Sequence, residues 1–227
     1  MSCVSVESKE WPYPERETQT YEKWPTDGET VEFRLFFRGF LRSANRPGRE
    51  AKHQIRRYLH PQLRSLWQQH PALKGAFTSV EGHPSGIERL GNTFDRCGFR
   101  FIPLIKKEHF ACELDILILH GQDPFRIFSP LGDLDNRVKT LLDGLRMPDQ
   151  CTEVTGLSPS ADEKPFYVLM DDDSAVFKVH MDIDKLLLPI PSQIEPIESD
   201  YDTVATIGVR VTTFMKAPIA YLTAGFF

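Results

Sequence analysis

The sequence predicts an α+β fold in which a small mixed β-sheet carries two principal helices packed on it. Hydrophobic and polar residues alternate in segment 30–41, as in a half-buried strand, and 94–105, 109–119, 175–183 and 203–214 are further strand candidates. Apolar residues recur at helical spacing in segments 50–69 and 133–146. The strands and helices do not follow one another as repeated β-α-β units, which argues against a doubly wound parallel sheet.

The boundaries of several elements can also be predicted. Pro61 lies inside the first helix and is expected to kink or split it. Pro148 bounds the second helix. The two predicted strands that follow the first helix, 94–105 and 109–119, are joined by a short Lys-Lys-Glu turn that suits a hairpin, so they are expected to pair as antiparallel strands.

The chain is expected to form one domain with appendages. A length of 227 residues with 41% hydrophobic content is enough to bury a core. Residues 1–29 are rich in Glu, Pro, Ser and Thr and are expected to be an acidic, loosely ordered arm. The domain is expected to span 30–216 with insertions at about 147–170 and 185–202, followed by a C-terminal tail, 217–227.

The cysteines and the N-terminus indicate a cellular location. Cys3, Cys97, Cys112 and Cys151 are widely separated and form no C-x-x-C pair, so the sequence predicts neither a zinc site nor a disulfide framework. The N-terminus is polar, and no run approaches 18 continuous apolar residues. We therefore expect a cytoplasmic protein that has no membrane partner.

Two acidic segments are the candidates for chemistry. Asp133 and Asp135 lie around the start of the second predicted helix, where Lys139 and Asp143 continue the same helical face. Carboxylate oxygens that converge there would suit a hard cation such as Mg²⁺. The plain alternative is that Asp133 caps the helix and the other three form a solvated ladder of charges.

A run of three aspartates, 171–173, follows the hydrophobic segment FYVLM. Three adjacent acids repel one another unless a cation relieves the repulsion. The plain alternative is an exposed acidic turn. Taken together, the two segments supply what metal-dependent phosphodiester cleavage needs, namely several carboxylates and one lysine.

The pattern D-L-D-N-x-x-K-x-x-x-D-x-L, followed by a hydrophobic segment and D-D-x-x-V, resembles the RusA-type Holliday junction resolvases. The match covers 132–177 and rests on these residues: Asp133, Leu134, Asp135, Asn136, Lys139, Asp143, Leu145, Asp172, Asp173 and Val176. The resemblance implies a RusA-like fold and a homodimeric endonuclease that uses magnesium, or manganese in its place, to nick two opposed strands of a four-way DNA junction.

The resemblance also assigns roles to individual residues. It makes Asp133, Asp135 and Asp173 the catalytic metal ligands and Lys139 the stabiliser of the phosphate, with Asp172 as the alternative third ligand. Two other functions stay open: a related nuclease that acts on other branched or single-stranded nucleic acid, and a catalytically silent nucleic-acid or protein-binding module.

A basic stretch is the candidate DNA contact. The net charge of −5 gives no overall basic signal, but residues 34–64 carry nine Lys or Arg and only one acid, Glu50. We expect the residues around the first loop and helix to bind the DNA backbone: Arg42, Asn45, Arg46, Arg49, Lys52, Arg56 and Arg57. The plain alternative is a solvated basic helix face.

Overall fold

The computed structural model describes residues 31–41, 49–74, 77, 84–120, 134–186 and 202–213. Within them the α-helices are α1 (Arg49–Gln69), α2 (Pro71–Lys74), α3 (Gly86–Thr93) and α4 (Leu134–Leu145). The strands are β1 (Val31–Phe40), β2 (Asp95–Arg96), β3 (Phe99–Ile105), β4 (Phe110–His120), β5 (Phe166–Met170), β6 (Val176–Lys185) and β7 (Asp202–Thr213). The fold is therefore mixed α+β, as the sequence predicts.

The described strands form two sheets instead of the single sheet that was predicted. One sheet has the order β1-β7-β4-β6, and the other has the order β2-β3-β5. The predicted hairpin between 94–105 and 109–119 is wrong, because β3 pairs with β5 while β4 pairs with β6 and β7. The Lys-Lys-Glu turn carries the chain from one sheet to the other.

The larger sheet follows the alternation that predicts it. In β4, Leu114, Ile116 and Ile118 are buried, whereas Asp115 and Leu117 between them are exposed. A strand with that period has one face against the core and one face in water. This sheet therefore has an inner face that packs into the main hydrophobic cluster and an outer face that is solvated.

The smaller sheet lies deeper in the protein. All five residues of β5 are buried, and so are all of β3 except Arg100. A strand covered on both faces appears in the sequence as a continuous apolar run, which is how FYVLM appears. Side chains of β3 and β5 enter two hydrophobic clusters, of which the second comprises Phe99, Phe101, Met147, Val154, Phe166 and Val168.

Helix α1 runs unbroken through Pro61 for 21 residues, so the expected split does not occur. Pro61 lies on the exposed side, where a missing N–H and a freed carbonyl can be hydrated. The opposite side buries Ile55, Leu59, Leu63 and Trp67, each about 1% exposed. These residues fix the face that α1 presents to α4 and β5.

Helices α1 and α4 cross closely at Gly144. A Cβ atom added to Gly144 would lie 2.5 Å from Ile55 Cγ2 and 2.7 Å from Ile55 Cβ. Real Cβ atoms do not approach carbon atoms that closely, so the absence of a side chain at Gly144 permits this separation of the helices.

The variant Gly144→Ala should therefore destabilise the protein. Moving Ile55 or the helix costs roughly 1–3 kcal/mol, which outweighs the gain of up to about 1 kcal/mol in helix propensity. The matched control is Gly91→Ala in α3, where the added Cβ would lie 3.5 Å from its nearest neighbours, an ordinary contact distance. Thermal unfolding of both variants measures the difference, and equal melting temperatures would contradict this account of the crossing.

A buried histidine lies between the helix and the second cluster. The ring of His53 is 1% exposed and lies 5.4 Å from the ring of Phe99 and 5.5 Å from that of Phe166. Burial, together with the neighbouring Arg57 and Arg56, lowers the pKa of His53 to about 4. The imidazole is therefore neutral in the folded protein at neutral pH.

The depressed pKa predicts a component of acid sensitivity. Between pH 6.5 and about 4 the unfolded chain protonates this histidine and the folded chain does not, so stability falls as the pH falls, by at most about 3 kcal/mol. His53→Leu should remove that component. Urea unfolding of both proteins at several pH values measures it, and stability curves that stay parallel between pH 6.5 and 4 would contradict the prediction.

Two further findings bear on the sequence predictions. Cys97 and Cys151 form a disulfide that joins the β2–β3 turn to the 3₁₀-helix Cys151–Glu153, which corrects the expectation of no disulfide. The two cysteines lie 54 residues apart in sequence, and their pairing follows from the fold, not from a local motif.

None of the helices in the described residues is both long and apolar enough to cross a membrane.

Candidate functional site

The second predicted helix forms as α4, and its polar face divides into two environments. Lys139 is exposed to solvent. Asp143, one turn later, is 6% exposed, and its carboxylate lies 2.6 Å from Lys52 Nζ and 3.1 Å from Arg146 Nη2. These cations lower the pKa of Asp143 although burial acts in the opposite direction. Asp143 is therefore buried and links α4 to α1. The alternative that Asp135, Lys139 and Asp143 form a row of solvated charges is wrong at Asp143.

Arg56 completes the junction between α1 and α4. Its Nη2 donates to the Asp143 carbonyl at 2.8 Å, and its Nε donates to the Arg146 carbonyl at 2.8 Å. The same guanidinium binds the Glu153 carboxylate at 2.9 Å. The last carbonyls of a helix lack partners within the helix, so Arg56 satisfies the C-terminal end of α4.

The acidic run follows β5 directly and is held against the end of β3. The Asp171 N–H donates to the Ile105 carbonyl at 3.1 Å, and the Lys107 N–H donates to the Asp171 carboxylate at 3.0 Å. The Asp172 carboxylate accepts from Lys107 Nζ at 2.7 Å and from the Ser174 N–H at 2.9 Å. Asp172 thereby caps the 3₁₀-helix Asp173–Ala175.

The three aspartates therefore differ in their electrostatics. Burial raises the pKa of Asp171 above its ordinary value. Hydrogen bonds from Lys107 and Ser174 hold the pKa of Asp172 well below its usual range. Asp173 is exposed, and its carboxylate makes no hydrogen bond or ion pair with the described residues. Of the three, Asp173 is the one available to an external cation.

The two halves of the motif lie on neighbouring elements. The Met147 N–H, just beyond the end of α4, donates to the Met170 carbonyl at 2.9 Å. Arg146 and Met170 form a parallel β-bridge at the same place. This contact lies at the C-terminal end of α4 and three residues before Asp173, whereas Asp135 lies in the first turn, about 15 Å away along the helix axis.

The predicted ligands at the start of α4 are only partly described. The backbone of Asp135 belongs to the first turn of α4, but its side chain and the whole of Asp133 lie outside the described residues. Among the side chains that are described, no three His, Cys, Asp or Glu residues are grouped closely enough to hold a metal ion.

The predicted DNA-contact residues lie in different environments. Lys52 is paired with Asp143, and Arg57 lies 2.7 Å from the Glu163 carboxylate with 41% of its side chain exposed. Arg56 has a fully buried side chain, so the expectation that it binds the DNA backbone conflicts with its position inside the protein. Arg42, Asn45 and Arg46, as well as the side chain of Arg49, lie outside the described residues.

Sequence reasoning missed Lys107 as a partner of the acidic run. The signal was present, since the Lys-Lys-Glu turn carries two adjacent cations, but it was interpreted as a hairpin turn. Only the parallel pairing of β3 with β5 places the ends of both strands together. Lys107 is 65 residues from Asp172, so no local pattern connects them.

In comparisons with known proteins, no family, no curated protein and no solved structure matches this chain.

Asp172 and Asp173 should respond differently to substitution. Asp172→Ala removes a helix cap and an ion pair and should cost about 1–2 kcal/mol of stability. Asp173→Ala removes no described interaction and should stay within about 0.5 kcal/mol of the parent protein. Chemical denaturation measures both, with Lys107→Ala as the comparison that removes only the ion pair and should therefore lose less stability than Asp172→Ala. An equal loss in the two aspartate variants would contradict the division of roles.

Proposed function

We propose that this chain is a magnesium-dependent, structure-selective endonuclease that nicks branched DNA, with Asp133, Asp135, Asp173 and Lys139 as its catalytic residues. The sequence pattern supplies the assignment of roles. The observation that carries the proposal is the exposed carboxylate of Asp173, which makes no hydrogen bond or ion pair with the described residues and follows β5, the strand that is tied to the C-terminal end of α4.

The exposed position of Asp173 supports its assignment over Asp172. A metal ligand needs a carboxylate whose oxygens are not committed to other partners, whereas both oxygens of Asp172 accept hydrogen bonds from Lys107 or Ser174. Moving Asp172 onto a cation would break its ion pair and uncap the following 3₁₀-helix. Asp173 can bind a cation without either loss.

The donor chemistry of the proposed site suits magnesium. Asp133, Asp135 and Asp173 offer only carboxylate oxygens, which hard divalent cations prefer. A bound Mg²⁺ would supply Lewis-acid activation of water and would neutralise developing charge on the phosphate. The three aspartates would hold it.

Lys139 would act on the phosphate. Its side chain is exposed on α4, one helical turn after Asp135, so the ammonium and the first-turn carboxylate share a face. An ammonium near the phosphate oxygens stabilises the negative charge that grows in the transition state. The position of Lys139 depends on α4, whose C-terminal end is held against α1 by Arg56 and Asp143.

Branched DNA is the substrate that the sequence resemblance favours. Lys52 and Arg57 are each paired with an acid, which reduces the cationic charge that α1 offers to phosphates. Contacts with the backbone would then depend mainly on Arg42, Asn45, Arg46 and Arg49. A homodimer would present two equivalent sites to the two opposed strands of a four-way junction.

The test is cleavage of a mobile four-way junction, a flap and a linear duplex by the purified full-length chain with Mg²⁺ or Mn²⁺. Asp133→Asn, Asp135→Asn and Asp173→Asn should each lower the rate on the order of 10³-fold or more while leaving DNA binding in the absence of metal largely intact. Lys139→Ala should depress turnover more than metal affinity. Asp162→Asn, an exposed acid outside the proposed site, is the matched control and should cleave normally.

The outcomes separate the alternatives. Preferential cleavage of flaps or single strands would keep the metal site and change the substrate. DNA binding without cleavage in any metal would support the silent binding module. Full activity in two of the three Asp→Asn variants would remove the ligand assignment.

A further inference from the structure

One edge of strand β6 is unpaired within the described residues. This strand is the terminal strand of the sheet β1-β7-β4-β6, and within the described residues its ladder partner is β4. None of its ten residues is buried, and Phe177 and Val179 are 55% and 42% exposed. An unpaired edge of this length presents a row of backbone donors and acceptors that another strand can join.

The charged side chains on one face of β6 are separated along the strand by the sign of their charge. The register with β4 places Lys178 opposite Glu113 and His180 opposite Asp115, on the solvated outer face. Asp182 and Asp184 continue that face toward the end of the strand. Its first half is thus basic or titratable and its second half is acidic. The inner face carries Val179, Met181 and Ile183, opposite the buried residues Leu114, Ile116 and Ile118.

This arrangement is self-complementary. We propose that β6 is the interface with a second copy of this chain, in which the two β6 strands pair antiparallel around a twofold axis at Met181. Lys178 and His180 on the outer face then each face an aspartate, and the apolar residues of the inner face meet one another. The pairs across the axis are Lys178 with Asp184 and His180 with Asp182 on the outer face, and Val179 with Ile183 on the inner face.

Neighbouring registers are less favourable. A continuous sheet requires residues of the same face to lie opposite each other, so the axis can move only by whole residues along β6. Moving it to His180 keeps one pair of opposite charge, Lys178 with Asp182, but loses the second, because it places two histidines together and Val176 opposite Asp184. Moving it to Asp182 places two aspartates together. Like charges that lie directly opposite destabilise a strand pair, so the axis at Met181 is preferred.

The interface has a geometric consequence for the rest of the chain. Val176 is five residues from the axis at Met181, so at about 3.3 Å per residue the two Val176 residues would lie about 33 Å apart. Asp173 precedes Val176 by three residues, so this spacing would also set the separation of the two acidic runs. The interface itself rests on the strand edge and its charges, independently of the proposed nuclease activity.

A charge swap tests the pairing. Sedimentation velocity on the full-length protein should show a dimer, and Lys178→Asp and Asp184→Lys should each weaken dimerisation by about tenfold or more. The double variant K178D/D184K should restore it, because the two charges are exchanged across the axis. The ion pair of Lys178 with Glu113 in the same chain is not restored by the swap, so recovery reports on the intermolecular pair. Arg64→Asp, an exposed cation of α1, is the control and should remain dimeric.

Cross-linking tests the register. In a Cys3→Ser background, Met181→Cys should form an intermolecular disulfide, because residues opposite each other in an antiparallel pair have Cα atoms about 4.5–5.5 Å apart, within the range of a disulfide. Val179→Cys should not, because the two copies of this residue would be offset by four positions, about 13 Å. A monomer at all concentrations, a dimer unaffected by either single charge reversal, or equal cross-linking of the two variants would overturn the proposal. None of these results depends on whether the protein cleaves DNA.

Discussion

The buried guanidinium of Arg56 is the interaction on which the arrangement of the candidate site depends. A charge removed from water is tolerated only when it is paired and hydrogen-bonded. Arg56 meets that requirement with two carbonyls at the end of α4 and the Glu153 carboxylate. Each partner belongs to a segment distant in sequence from α1, so the helix, α4 and the segment after it can reach their positions only together.

That constraint reaches the acidic run through α4. Arg146, whose carbonyl accepts from Arg56, also bridges to Met170, and Met147 bonds to the same strand residue. The end of β5, and with it the start of the acidic run, is therefore located relative to α1 by a continuous chain of hydrogen bonds. The segment 147–170, expected from the sequence to be an insertion, lies within this chain and contributes Val154 and Phe166 to the second hydrophobic cluster. It is a structural part of the domain that supports the candidate site.

Local patterns predicted the elements well and their partners poorly. Period-two alternation located β1, β4, β6 and β7, and helical spacing located α1 and α4, because each of these elements has one solvated face. The predicted set lacks β5, a continuously buried run without alternation, and helix α3, although Ser85 and Glu88 form a capping box that the sequence displays. The division into two sheets, the disulfide and the burial of Arg56 depend on contacts between distant residues, which no periodicity contains. An arginine that caps another helix looks the same in sequence as one that faces solvent.

The acidic run shows how neighbours assign different tasks to identical residues. Asp171, Asp172 and Asp173 are consecutive, but burial at the strand end raises the pKa of the first, and a lysine and a capping bond hold the second ionised and engaged. The third extends into solvent because the cap of Asp172 turns the chain into the 3₁₀-helix. Lys107 offsets part of the negative charge of the three acids without a metal, so the run itself does not require a cation. The case for a cation therefore rests on Asp173 together with the first turn of α4, and the other two acids serve to present Asp173.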